Sequence, residues 1–123
     1  MKYMILIHSN PKSRELWEEF SDAERAEGFG VYAALNEDLA ASGELIVSEA
    51  LADASLSKRI PVTDDRAIPS DGPFAEAKEL LAGFFLIECD SMDRAIEIAG
   101  QVPEAPLGLV EVRPVMDLSA FGM

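Results

Sequence analysis

A chain of 123 residues, 49% of them hydrophobic, has the length of one domain and enough apolar content to bury a core without disulfide or metal staples. Asp and Glu outnumber Lys and Arg by 23 to 10, and the cations are scattered apart from Lys58-Arg59. That pattern excludes a nucleic-acid groove and attachment to anionic lipid, both of which need clustered cations. Cys89 is the only cysteine, so no intrachain disulfide can form and a reducing, cytoplasmic setting is expected.

Residues 2 to 8 read as a strand, with Tyr3, Ile5 and Ile7 on one face and Met4, Leu6 and His8 on the other. Its apolar run is too short for a signal-peptide core or a membrane span. Both faces are largely apolar, so both need cover. Residues 14 to 20 suit a short helix bearing Leu16, Trp17 and Phe20. Ser21-Asp22-Ala23-Glu24 is a capping-box pattern that opens a helix to about residue 42. Phe29, Tyr32, Leu35 and Leu39 lie on its apolar stripe, and Gly43 suits its end.

Leu45 to Leu51 read as a second strand, and residues 57 to 69 as an added hairpin turning at Thr63-Asp64-Asp65-Arg66. Ala82 to Cys89 form the next strand. Ser91 caps a helix over residues 92 to 101, with Ala95, Ile96 and Ala99 inward, and Leu107 to Met116 is the last strand. Without the hairpin the order is β-α-β-β-α-β, the ferredoxin-like pattern of an α+β fold. Two helices cover one sheet face, which leaves the other for a second copy of the chain.

The densest local pattern is Asp71-Gly72-Pro73-Phe74-Ala75-Glu76-Ala77-Lys78-Glu79. Pro73 fixes its own φ and pushes Gly72 out of the α region, and Asp71 is expected to close the turn through backbone amides. The stretch resembles the signature of the DGPF, or YCII-related, family. Met1 to Ile7, Gly83 to Ile87 and Val110 to Met116 are similar to the strands of that family. Ala77 stands where the family usually has Thr, and Ala82 where it usually has Gly. The resemblance implies a ferredoxin-like fold whose sheets pair into a dimeric α+β barrel. Some members use a His–Asp pair with the His on the first helix; no His lies between Leu16 and Ser42 here, so that pair does not carry over.

Several residues are candidates for chemistry. His8 is the sole histidine and stands at a strand end, where clefts open; a hydrogen-bonded structural histidine is the competing reading. Glu111 and Arg113 share a strand face, and Glu88 is expected to face the same space; a structural ion pair buried in the dimer explains them as well. In the light of the resemblance, Asp71 and Glu76 become acid–base or anchoring groups and Lys78 a holder of an anionic substrate, supported by Arg59 or Arg66. The alternative is a turn with a solvated charge cluster. One His and one Cys far apart give no metal-ligand spacing, and no phosphate-binding glycine motif is present, so no cofactor is expected.

Two functions fit. One is an enzyme doing cofactor-free proton transfer, isomerase- or lyase-like, on a small molecule in a cleft near the sheet, with His8, Asp71, Glu76 and Arg113 catalytic and Lys78, Glu88 and Glu111 binding. The other is a non-catalytic ligand-binding or regulatory module that works as a homodimer.

Overall fold

The alternating run Lys2–Ser9 forms β1, with Tyr3, Ile5 and Ile7 buried and Met4 and Leu6 half-covered on the opposite side. The computed structural model describes residues 1–74 and 78–123. Asn10 ends β1 and caps α1 (Pro11–Glu19), its side chain accepting from the Ser13 amide while the Ser13 side chain accepts from the Asn10 amide. The helix therefore begins three residues before the expected start, because Pro11 is pre-set for the first helical position. The Ser21–Glu24 capping box starts α2 (Asp22–Ser42) as its pattern predicts.

From α2 the core takes Leu35 and Leu39, with Tyr32 packed beside them and stacked on Phe85. Phe29 is not on the core stripe: its ring meets Trp17 of α1 edge-on at 5.4 Å and stays exposed. After β2 (Leu45–Ala50) come four two-residue strands, β3 (Lys58–Arg59), β4 (Val62–Thr63), β5 (Arg66–Ala67) and β6 (Ser70–Asp71), which pair β3 with β6 and β4 with β5. β7 (Leu80–Glu88) returns to the main sheet. α3 (Met92–Ala99) buries Ala95, Ile98 and Ala99. Ile96, expected inward, is exposed, because the inward stripe steps from Ala95 to Ile98 and Ala99. β8 (Val110–Pro114) closes the sheet and is shorter at both ends than its apolar run; Leu107 belongs to a 3₁₀ turn, Ala105–Leu107.

The main sheet runs β2-β7-β1-β8, antiparallel throughout, with α1 and α2 linking β1 to β2 and α3 linking β7 to β8. This is the ferredoxin-like α+β order read from the sequence. α2 and α3 cover one face. Between β2 and β7 the backbones approach closely: a Cβ on Gly83 would sit 2.9 Å from the Glu49 carbonyl oxygen. Glycine is needed there for the strands to pair.

Candidate functional site

The uncovered face of the sheet carries Met4 and Leu6 of β1, flanked by Phe84 and Leu86 of β7 and by Glu111 and Arg113 of β8. Cross-strand partners share a face, and the register sets Glu111 opposite Leu6 and Arg113 opposite Met4. The final strand thus lies beside the opening one. His8 is next along the same face as Leu6 and stands beside Glu111. Its Nε2 lies 3.4 Å from Glu111 Oε1, with the His side chain 21% and the Glu side chain 51% exposed. The backbone is pinned there, since the His8 amide donates to the Leu109 carbonyl at 2.8 Å. The other ring nitrogen, Nδ1, is shut off from water and has no hydrogen-bond partner among the described residues. A buried polar atom in that state costs free energy until something donates to it or accepts from it.

A register shift between Ile7 and His8 leaves Ala82 as an extra residue in β7 and sets Leu81, not Ala82, opposite His8. Bulges of this kind re-aim side chains beside functional sites. Leu81 also lines an apolar cleft with Leu51, Leu56, Pro73 and Leu80, to which Asp53 and Ser57 contribute polar groups. Hydrogen bonds from the Ser55 side chain and amide hold the Asp53 carboxyl below the usual carboxylate range. One cross-strand pair therefore connects the His8–Glu111 dyad to a cleft whose wall includes the proline of the signature. Nothing in the Leu51–Ser57 stretch identifies it in sequence as a cleft wall; only the Asp53-x-Ser55 turn is legible.

The other candidates are dispersed. Arg113 lies on the open face and is exposed, not bonded to Glu111, and Glu111 itself is half-exposed and turned to His8. Their expected burial does not hold in the single chain, because none of the described residues covers that face. Glu88, opposite Lys2, shares the open face as its alternation predicts but stands at the far end from His8, with β1 between its strand and β8, so it is not beside Glu111. Asp71 sits at the base of the hairpin and pairs with Lys58 Nζ, both side chains exposed. It does not close the turn onto the residue two positions on, since that residue is Pro73 and has no N–H. Gly72 has φ of +82°, the left-handed angle its position demands, and its amide donates to the Ser57 carbonyl at 2.7 Å. Lys78 is exposed, Glu76 lies outside the described residues, and the Arg59 guanidinium stacks 5.5 Å from the Phe74 ring centre. That Arg59–Phe74 contact joins the hairpin to the signature. Among the described residues no three His, Cys, Asp or Glu side chains stand close enough to hold a metal ion, and no helix is long and apolar enough to cross a membrane.

A ferredoxin-like layer with one bare sheet face is the half-barrel unit of the dimeric α+β barrel class, and comparison with known proteins agrees. The chain matches the YCII-related domain over residues 1–119 and belongs to that family. It is 29% identical over 117 residues to an uncharacterized protein, R00369, of Rhizobium meliloti (strain 1021), covering 94% of this chain and 92% of that one. In fold it is similar to 5-chloro-2-hydroxyhydroquinone dehydrochlorinase, TftG, of Burkholderia phenoliruptrix AC1100, solved in complex with 2,5-dihydroxybenzoquinone. The TM-score is 0.54 at 18% identity, over 94% of both chains.

Proposed function

We propose that this chain is one subunit of a homodimer, located in the cytoplasm, that carries out cofactor-free proton transfer on a small, partly apolar molecule. His8 is the group that takes and returns the proton, and Glu111 orients the ring and balances its charge. The observation that carries the reading is the buried His8 Nδ1 without a partner, on a ring whose other nitrogen faces a carboxylate. A His–carboxylate pair of this kind is the usual general acid–base arrangement. The cleft beside Leu81 offers apolar walls and few polar groups, which suits such a ligand. Elimination and isomerisation both turn on the transfer of a proton, and a dehydrochlorinase of similar fold supports the reading; the analogy is one of fold.

The single most direct test is isotopic. Small hydroxylated aromatics, quinones and unsaturated acids are screened by thermal shift, and those that raise the melting temperature are incubated with the protein in D2O. Proton NMR is expected to show carbon-bound hydrogen replaced by deuterium with the native chain and not with His8→Gln. Binding without exchange sinks the enzyme reading in favour of a non-catalytic ligand-binding dimer. That second reading draws support from Asp71, which is engaged by Lys58 and not aimed at the cleft.

A further inference from the structure

The cleft beside Leu81 wraps the end of the sheet. Leu81 shares its face with His8, Leu80 shares its face with Ser9, and both leucines wall the cleft. A third segment of the chain reaches the same end. Arg14 of α1 donates from Nη1 to Ser9 Oγ at 3.2 Å, and Ser9 Oγ in turn donates to the Leu80 carbonyl at 3.5 Å. The charge of Arg14 is also felt at Asp53, another cleft residue, whose carboxyl is held low first by the bonds from Ser55 and then by Arg14. Arg14 therefore stands at the edge of the cleft, anchored one residue along β1 from His8.

The guanidinium is half-buried and always charged, and a charge in that state needs an anion. Asp53 is exposed and bonded to Ser55, and among the described residues no carboxylate is in salt-bridge contact with Arg14. Its bond to a hydroxyl leaves most of the N–H fork open among those residues. Pro11-Lys12-Ser13-Arg14, the opening turn of α1, adds to the positive field, with two cations and no acid where a helix N-terminus favours acids. In a chain of net charge −13 most of the surface repels anions, so a local cation decides where one binds. A planar fork matches a carboxylate, and one guanidinium beside leucines suits a monoanion with an apolar body better than a phosphate. The cleft, about 360 Å³, has room for such a molecule. We infer that the substrate is a small carboxylic acid, its carboxylate on Arg14 and its carbon body along Leu80 and Leu81 toward His8. The inference rests on the cleft and the proton transfer proposed above, and adds the charge of the substrate and the residue that selects it.

NMR titration of the ¹⁵N-labelled chain with benzoate, 2-hydroxybenzoate and sorbate, each beside its primary amide, tests it. The acids are expected to bind at least about tenfold more tightly than the amides and to shift the backbone signals of Arg14, Asp53 and Leu81. Arg14→Gln is expected to abolish that preference and leave the binding of the amides unchanged. Arg14→Lys is expected to keep part of it, because an ammonium retains the charge and loses the fork. The ¹⁵N spectrum of each variant shows whether it is folded, and Arg14→Lys decides the matter if Arg14→Gln is not. Acids and amides bound alike, or acids bound equally by the native chain and Arg14→Gln, overturn the role of Arg14 and leave the chemistry of His8 standing. No binding of any acid at millimolar concentration overturns the role of Arg14 as well. Acids held through Arg14 that take up no deuterium from D2O leave Arg14 standing and sink the proton transfer.

Discussion

The two faces of the central sheet are made by the same strands, one residue apart, and differ in what meets them. On the covered face Tyr3, Ile5, Phe85 and Ile87 lie against α2 and α3 and are essentially inaccessible. On the other, Met4, Leu6, Phe84 and Leu86 are equally apolar but only half-buried. Burial is the sum of a side chain's character and its neighbour, and the second face lacks the neighbour. The same contrast separates the charges. Glu44 at the edge of the covered layer is gripped by Arg94 through two bonds, 2.8 and 2.9 Å, whereas Arg113 on the open face has no such partner among the described residues.

Phe85→Ala is the largest break expected, since it empties the centre of the covered layer. It should cost about 3–5 kcal/mol in urea denaturation. Leu86→Ala, one residue on, should cost far less at high dilution and lower the melting temperature mainly at concentrations where the chain self-associates. Equal losses from the two substitutions at every concentration would mean that both faces are sealed within one chain.

Acid should sharpen the contrast on a smaller scale. Hydrogen bonds from Arg94, then Ser42, hold the Glu44 carboxyl below the usual carboxylate range. A group lowered on folding contributes stability that is complete above its unfolded value, near 4.3, and is lost as pH falls through the folded one. Glu44→Gln should therefore flatten the loss of stability below about pH 4, and remove less than about 1 kcal/mol at pH 7 because Arg94 is well exposed. An unchanged acid limb in urea titrations would show that the pair has no net worth.

The smallest effect is expected at Asp71. Its pairing with Lys58 is exposed, and exposed pairs contribute about 0–1 kcal/mol. Asp71→Ala and Asp71→Asn should be nearly alike in stability. A marked gap between them would restore a turn-closing role for the carboxylate.

Periodicity, capping and turn chemistry are local, and they were legible. The alternation of β1, the Ser21–Glu24 box, the turn at Asp64-Asp65 and the left-handed Gly72 follow from residues within a few positions of one another. From them the β-α-β-β-α-β order and its bare sheet face can be derived without coordinates. The companions of His8 cannot. Glu111 is 103 positions away and reaches it only because β8 pairs with β1, and Leu81 faces it only through the one-residue shift at Ala82. The signature attracts attention to Asp71, yet the partner of Asp71 is set by the hairpin register. Strand order, register and bulges arise from the competition of whole faces for burial, and that competition is decided in three dimensions.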